Sequence, residues 1–203
     1  MAFAYPHRIL FLRHGQTAYN AQNRLQGQRD VPLDGKGREQ AAAVGRFLGA
    51  AMGADLARLD AAGAFWASPL ARTRQTMAIA RVAMGLPPEP FRRDGRLMEL
   101  SFGVWEGQTW DEVKASDPAG IAARRADRWG FAPPGGESYA DMAARVGRWL
   151  AERDGDLLMV AHGGVARALM AMLAGFAPAT AADADIWLGR ALVFEAGGLS
   201  WIG

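Results

Sequence analysis

Two histidines at the ends of predicted strands are the side chains best placed to do chemistry. The apolar runs 8–12 and 157–160 are typical of buried strands, and they lead into His14 and His162, each followed by glycine. Ligands bind at the carboxyl ends of strands in open α/β sheets, and an unprotonated imidazole is a nucleophile. Both histidines could instead be hydrogen-bonded core residues, but two strand-end His-Gly pairs favour a reactive site at one sheet edge.

The elements that must position these histidines alternate between strand and helix. Asp34 can cap a helix that runs to about Leu48, and after a strand at 64–67 the pair Ser68-Pro69 suits a helix N-cap and first turn. The other predicted elements are a helix carrying Arg72, capping-box helices that begin at Thr109 and at Ser138, and short strands at 186–187, 192–195 and 199–202 with a Gly197-Gly198 turn. The alternation predicts a three-layer α/β/α fold with a mostly parallel central sheet.

The composition is that of a globular protein and excludes several kinds of chemistry. The chain has 203 residues, 50% of them hydrophobic and 22% charged, so we expect a single domain over residues 1–203. It has no cysteine, which excludes disulfides, thiol catalysis and cysteine-bound metals. The lack of cysteine fits a cytoplasmic protein.

The sequence indicates no nucleic-acid or membrane partner. The pI of about 9.4 is typical of nucleic-acid binding, but Lys36 and Lys114 are the only lysines and the arginines are spread among the acids. The most apolar later stretch, 168–177, is far shorter than the roughly 20 residues of a membrane span, and the first apolar run is too short for a signal peptide. No heptad seam or obvious apolar patch can be counted, so the residues leave the oligomeric state open between a monomer and a homodimer.

Four blocks of residues occur in the order typical of one enzyme family. The first block is Arg13–Asn20, together with Arg24–Gly27 and Asp30–Leu33 after it. The other three are Ser68–Thr73, Glu99–Gly107 and Ala161–Gly164. Together they resemble the histidine phosphatase superfamily, also called the phosphoglycerate mutase-like family, over nearly the whole chain. The resemblance implies that family's fold and an enzyme that carries a phosphoryl group on a histidine.

The resemblance also implies which groups transfer and hold the phosphoryl group. His14 is the implied nucleophile, and its other ring nitrogen should donate to a fixed acceptor such as a local backbone carbonyl. Arg13 and Arg72 are the implied phosphate ligands, since a guanidinium matches phosphate oxygens bidentately. His162 is expected to donate a further hydrogen bond to the transferring group.

Glu99 resembles the proton donor of the family. A carboxyl group can protonate the leaving oxygen and then take a proton from the attacking water, provided that it is protonated at the start. Asn20 resembles the family's amide donor, although it could also be a turn residue or helix cap. Gln26 and Gly27 are expected to line the mouth of the pocket, and the Gly163 N–H at a helix start should help to bind phosphate.

The scheme implies neither a metal ion nor another cofactor, because the arginines supply the positive charge that magnesium supplies elsewhere. The sequence has no oxygen-ligand loop and no Gly-x-x-x-x-Gly-Lys motif for a nucleoside triphosphate. The expected partner is a small phosphorylated metabolite, such as a sugar phosphate, a phosphoglycerate or α-ribazole phosphate.

Three functions remain open within the family, and the sequence favours one of them. The block Glu99–Gly107 resembles the phosphatase branch, whereas a typical glycolytic mutase has Glu-Arg-His-Tyr-Gly there and a longer middle insertion. We therefore expect phosphomonoester hydrolysis, with a cofactor-dependent phosphoglycerate mutase as the alternative. A non-catalytic binder of phosphorylated ligands is disfavoured because every charged catalytic position is filled.

Overall fold

The fold is built on one sheet whose strands come from both ends of the chain. The computed structural model describes residues 5–195 and 198–202. Its strands are β1 (Ile9–Arg13), β2 (Phe65–Ala67), β3 (Arg92–Arg93), β4 (Leu157–Ala161), β5 (Ala191–Glu195) and β6 (Gly198–Ile202). Its α-helices are α1 (Ala18–Ala21), α2 (Gly35–Ala61), α3 (Ala71–Ala83), α4 (Trp110–Ser116), α5 (Pro118–Ala126), α6 (Tyr139–Ala151), α7 (Gly163–Leu173) and α8 (Pro178–Asp183), with short 3-10 turns at Gly95–Leu97 and Gly103–Trp105.

The sheet is mostly parallel, as the sequence predicts. Its strand order is β3-β2-β4-β1-β5-β6. The first four strands pair in parallel, and β5 pairs antiparallel with both of its neighbours, β1 and β6. In the central pair, Arg13 of β1 lies opposite Ala161 of β4, so both strands end at the same level. This register brings the residues that follow the two strands side by side.

Helices cover both faces of the sheet, which confirms the three-layer prediction. Side chains alternate along a strand, so Ile9 and Phe11 of β1 pack with α6 and α7 while Leu10 and Leu12 pack with α2 and α3. All four are fully buried. The burial of each side chain stabilises the fold by about 1.5–3 kcal/mol. The two core layers thereby fix where the carboxyl ends of the strands lie.

Several predicted boundaries were right and three were wrong. Side chains cap their helices at Asp34, Thr109 and Ser138, the last two in capping boxes. Helix α2 continues past Leu48 to Ala61, with one non-helical residue at Met52, because no proline stops it and its apolar face continues.

The other two errors lie at the carboxyl edge of the sheet. Helix α3 begins at Ala71, not at Ser68-Pro69, because the Ser68 hydroxyl bonds to His162 instead of capping a helix. Ile186 is not in a strand; its carbonyl accepts a hydrogen bond from Arg13. The predicted Gly197-Gly198 turn includes Gly197, which lies outside the described residues. No helix within 5–195 is both long and apolar enough to cross a membrane.

Candidate active site

The two strand-end histidines lie together at the carboxyl edge of the sheet. Their ring centroids are 5.2 Å apart, and the His14 backbone N–H donates to the Ala161 carbonyl at 3.1 Å. Both rings are buried, with 2% of His14 and 0% of His162 exposed. The parallel register of β1 and β4 is thus what brings together two residues separated by most of the chain.

His14 is held as a neutral imidazole with one identifiable free nitrogen. Its Nδ1 lies 2.8 Å from the Gly15 carbonyl oxygen, and since a carbonyl only accepts, Nδ1 must carry the proton. Burial, followed by the charges of Arg72 and Arg13, holds the pKa of His14 well below its ordinary value of 6.5. Nε2 is therefore unprotonated and available as a nucleophile.

Two arginines flank His14, and both are fixed by backbone carbonyls. Arg72 is fully buried; its two terminal nitrogens donate to Arg29 and Gly27, each at 2.8 Å. Arg13 donates to the Ile186 carbonyl. Burial lowers the pKa of Arg72 to about 10 and also lowers that of Arg13, so Arg72 stays charged near neutral pH. Their neutral acceptors leave the positive charges available to an anion.

Glu99 is oriented by two backbone donors, one at the start of α7 and one directly after it in the chain. Its Oε1 accepts the N–H of Gly164 at 3.0 Å and that of Leu100 at 2.9 Å. A side chain on Gly164 would lie 2.3 Å from this oxygen, so the approach requires glycine there. The carboxyl group is thereby fixed at the wall of the same cavity as His14.

Three of the four predicted substrate-binding residues line the cavity, and the fourth does not. Asn20, Gln26 and Gly27 line the cavity. Asn20 also completes the capping box of α1, whose N-cap is Thr17: its Oδ1 accepts from the Thr17 N–H at 3.1 Å, which leaves its amide N–H groups to donate elsewhere. Gly163 does not line the cavity, although a Cβ there would lie 3.6 Å from the Arg13 guanidinium group.

The cavity has a volume of about 230 Å³ and is strongly basic. Six arginines and one carboxylate contribute to its wall: Arg13, Arg24, Arg72, Arg124, Arg128, Arg167 and Glu99. His162 is not among the residues that line this cavity; its ring makes an edge contact with that of His14. A cavity with this charge is suited to a compact ligand with several negative charges.

Sequence reasoning missed the outer part of this cavity. Arg124, Arg128, Arg167, Tyr139 and Trp110 line it, and none was among the predicted site residues. One signal was available for Arg167, which follows Gly163 by four residues and so faces the same side of its helix. Arg124 and Arg128 come from the middle segment, whose folding over the sheet has no local signature.

A larger cleft lies at the opposite edge of the sheet. It has a volume of about 580 Å³ and is lined by residues next to the amino ends of β2 and β4. Arginines and carboxylates are mixed along it, and it contains no histidine. The smaller cavity is the candidate active site because it joins a neutral imidazole, fixed cations and a carboxyl group. Among residues 5–195 and 198–202, no three His, Asp or Glu side chains are grouped as metal ligands.

The chain belongs to the histidine phosphatase superfamily, branch 1, whose sequence pattern residues 9–196 match. Among its relatives is a glucosyl-3-phosphoglycerate phosphatase of Mycolicibacterium vanbaalenii, 38% identical over 83% of this chain and 74% of that protein. Another is a 2,3-bisphosphoglycerate-dependent phosphoglycerate mutase of Methylobacterium radiotolerans, 35% identical over 92% of this chain and 88% of the other.

The similarity extends to solved structures. A mycobacterial glucosyl-3-phosphoglycerate phosphatase in complex with VO3 matches with a TM-score of 0.76 and 32% identity, covering 97% of this chain and 96% of the other. These matches confirm the family and the fold that the sequence blocks predict.

Proposed function

We propose that this chain hydrolyses a phosphomonoester of a small metabolite through a phosphohistidine formed on His14. The observation that carries the proposal is the state of His14, whose Nδ1 is committed to the Gly15 carbonyl and whose Nε2 is unprotonated. A nucleophilic nitrogen beside two fixed guanidinium groups suits attack on phosphorus.

In the first step, Nε2 of His14 attacks phosphorus in line, so that a P–N bond forms as the ester P–O bond breaks. Glu99 gives its proton to the leaving oxygen. Arg13, Arg72 and His162 donate to the oxygens of the phosphoryl group, whose charge is spread over them in the transition state. Asn20 and Gln26 supply amide donors at the mouth of the cavity.

In the second step, water attacks the phosphorus of the phosphohistidine. Glu99, now a carboxylate, takes a proton from the water, and the P–N bond breaks. Inorganic phosphate is released, and His14 returns to its neutral form. The backbone N–H groups of Leu100 and Gly164, which donate to Glu99, hold its carboxyl group in one place through both steps.

The relatives support hydrolysis and a phosphorylated sugar or glycerate as substrate. The chain shares 38% and 36% identity with two glucosyl-3-phosphoglycerate phosphatases, from Mycolicibacterium vanbaalenii and Mycobacterium tuberculosis. The absence of cysteine in 203 residues supports a place in the reducing cytoplasm.

The direct test is phosphate release in EDTA from p-nitrophenyl phosphate and a panel of metabolites, with wild type and His14→Ala side by side. We expect release by wild type and none by His14→Ala, which would establish histidine-dependent hydrolysis without added metal. Full activity of His14→Ala would refute the mechanism. Tight binding of esters without turnover would instead support the non-catalytic binder.

Mutase activity is the second candidate because a phosphoglycerate mutase is 35% identical to the chain over 92% of its length. A mutase returns the phosphoryl group to the isomerised substrate, whereas a phosphatase gives it to water. Conversion of 3-phosphoglycerate to 2-phosphoglycerate in the presence of 2,3-bisphosphoglycerate, with little phosphate released, would favour the mutase.

A further inference from the structure

The carbonyl that selects the tautomer of His14 belongs to a peptide group that is itself held from outside the cavity. This carbonyl is that of Gly15, and the N–H of the same planar peptide group is that of Gln16. The N–H donates to the side-chain carbonyl oxygen, Oε1, of Gln40 at 2.9 Å. Because the group is planar, an acceptor for its N–H also fixes the direction in which its C=O points.

Gln40 reaches this peptide group from α2, whose first turns pack directly against the loop after β1. A Cβ on Gly37 would lie 2.0 Å from the Gln16 carbonyl oxygen, and one on Gly15 would lie 2.2 Å from that of Gly37. Both positions therefore require glycine for the two backbones to meet. The Asp34 N–H also donates to the Gln16 carbonyl at 3.0 Å. Gln40 follows Gly37 by three residues, so it faces the same side of the helix.

The peptide group on the other side of Gly15 is held by α3. The Gly15 N–H donates to the Thr76 hydroxyl oxygen at 3.0 Å, and that hydroxyl donates to the Arg72 carbonyl at 2.7 Å. Thr76 is buried. Through these bonds the loop that carries His14 is attached to the helix that carries Arg72. Two helices thus hold the N–H groups on both sides of the Gly15 carbonyl.

Gln40 is not among the residues that line the cavity. Its effect on the reaction must therefore pass through His14 and not through contact with the substrate. Burial and then two arginine charges lower the pKa of His14, and its hydrogen bond with the Gly15 carbonyl opposes them. A firm acceptor at Nδ1 thus makes Nε2 more basic and a better nucleophile.

We propose that Gln40 is a positioning residue for the nucleophile: it fixes the Gly15 carbonyl against Nδ1 of His14, which keeps Nε2 free to attack phosphorus. The inference rests on the proposed function and adds a residue to it. A peptide group whose N–H donates to a fixed acceptor is more polarised, so its carbonyl also accepts more strongly. Without that acceptor, the Gly15 carbonyl can turn away and the ring proton can move to Nε2, where it blocks attack.

The same contact affects both steps of phosphoryl transfer. As Nε2 forms the P–N bond and the ester P–O bond breaks, Nδ1 keeps its proton and the ring of His14 becomes positively charged. The Gly15 carbonyl accepts from this charged ring and stabilises it. When water attacks phosphorus, the P–N bond breaks, its electron pair returns to Nε2, and the ring is neutral again.

Substitutions that keep or remove the acceptor oxygen of Gln40 provide the first test. Gln40→Met keeps the length of the side chain but offers no oxygen to the Gln16 N–H, whereas Gln40→Glu offers one. We expect Gln40→Met to lower kcat about 10-fold with little change in KM, and Gln40→Glu to restore kcat to within about 3-fold of wild type. Glu39→Met, at an exposed neighbour on α2, is the matched control. Wild-type kcat in Gln40→Met, or an equal loss in Gln40→Glu, would overturn the proposal.

Nitrogen NMR separates this role from a merely structural one. In wild-type protein labelled in its three histidines, we expect His14 to show a protonated Nδ1 and an unprotonated Nε2. In Gln40→Met the His14 signals should shift towards a mixture of the two tautomers, and in Glu39→Met they should not shift. An unchanged His14 spectrum in Gln40→Met, or the opposite tautomer in wild type, would overturn the proposal even where kcat falls.

The spectra need no turnover, so failure of the proposal is distinguishable from failure of the proposed function. A tautomer that depends on Gln40 in a protein that hydrolyses no ester would refute hydrolysis and support the positioning role. Hydrolysis by wild type with a tautomer that does not depend on Gln40 would do the reverse. If Gln40→Met does not fold, a scalar coupling in wild type between the Gln16 amide nitrogen and the side-chain carbonyl carbon of Gln40 still decides. Its absence would overturn the proposal.

Discussion

His14 lies between two guanidinium groups that oppose its protonation. Most surface histidines alternate between charged and neutral forms near neutral pH. Here burial and the charges of Arg72 and Arg13 favour the neutral ring, while the Gly15 carbonyl selects the tautomer. The arginines that would bind phosphate thus also keep the nucleophile unprotonated, which couples substrate binding to reactivity.

Arg72→Lys should lower kcat/KM about 100-fold although it keeps the positive charge. Arg72 uses two nitrogens to reach the carbonyls of Gly27 and Arg29, and a lysine ammonium cannot hold both while also binding phosphate. Arg74→Lys, on the same helix but outside the cavity, is the matched control. Steady-state kinetics with p-nitrophenyl phosphate would measure the effect, and equal activity of the two variants would contradict it.

The sequence blocks identified the inner site but not its surroundings. His14, Arg13, Arg72 and Glu99 could be predicted because each stands in a recognisable block, and the structure places all four at one cavity. Gly163 does not line the cavity, and its expected part in binding phosphate stays a prediction. Roles of this kind depend on tertiary packing, which local sequence patterns do not encode.

Backbone hydrogen bonds and the Glu106 carboxylate hold the loop from Arg24 to Arg29 against the segment after Glu99. Glu106 Oε1 accepts the Gln28 N–H at 3.0 Å and the Phe102 N–H at 3.2 Å. The loop in turn supplies the carbonyls that fix Arg72. The position of the Arg72 guanidinium group therefore depends on contacts between two loops that are far apart in the sequence.

Gly27→Ala should disturb this loop and lower both activity and stability. Gly27 has a φ of +51°, and a Cβ there would lie 2.0 Å from Glu106 Oε1. We expect a loss of about 1–3 kcal/mol in the free energy of unfolding and a kcat/KM at least about 10-fold lower, because the acceptor of Arg72 moves. Gly35→Ala, at the start of α2 with open space around it, is the control. Denaturant unfolding and kinetics would check both values, and wild-type values for Gly27→Ala would contradict the account.

Elements with strong local signals could be predicted, and elements defined by long-range contacts could not. The capping boxes at Thr109 and Ser138 mark α4 and α6 in the sequence itself. The start of α3 was misplaced because Ser68 has the chemistry of an N-cap but bonds to His162, a residue 94 positions away. A polar side chain with two possible partners gives no local indication of which one it takes.

The whole sheet supports the site by ending three neighbouring strands at one edge. Strands β2, β4 and β1 lead into Ser68, His162 and His14, and the two core layers lock their register. This arrangement follows from alternating strands and helices, which is why the fold class was predictable. That His14 and His162 share one sheet edge was expected from two strands that each end in His-Gly, while the roles of the residues around them were expected from the family resemblance. The single domain and the choice between monomer and homodimer stay predictions.

The buried histidines should make the stability of the molecule depend on pH. Their pKa values in the folded state lie well below 6.5, so as the pH falls below 6.5 the unfolded chain binds protons that the folded protein does not. The free energy of unfolding should fall by up to about 1.4 kcal/mol per pH unit for each histidine. Chemical unfolding at about pH 6.5 and 5.5 would show this, with a smaller slope in His14→Gln; a flat profile would contradict neutral burial.

The central claim is that the phosphoryl group passes through His14, and trapping the phosphoenzyme tests it most directly. Wild-type protein would be mixed with phosphorus-labelled p-nitrophenyl phosphate, quenched in alkali within milliseconds and digested. The account predicts an acid-labile, alkali-stable label on the peptide containing His14, and none in His14→Ala. Turnover with the label on another residue, or with no labelled enzyme at any time, would contradict it.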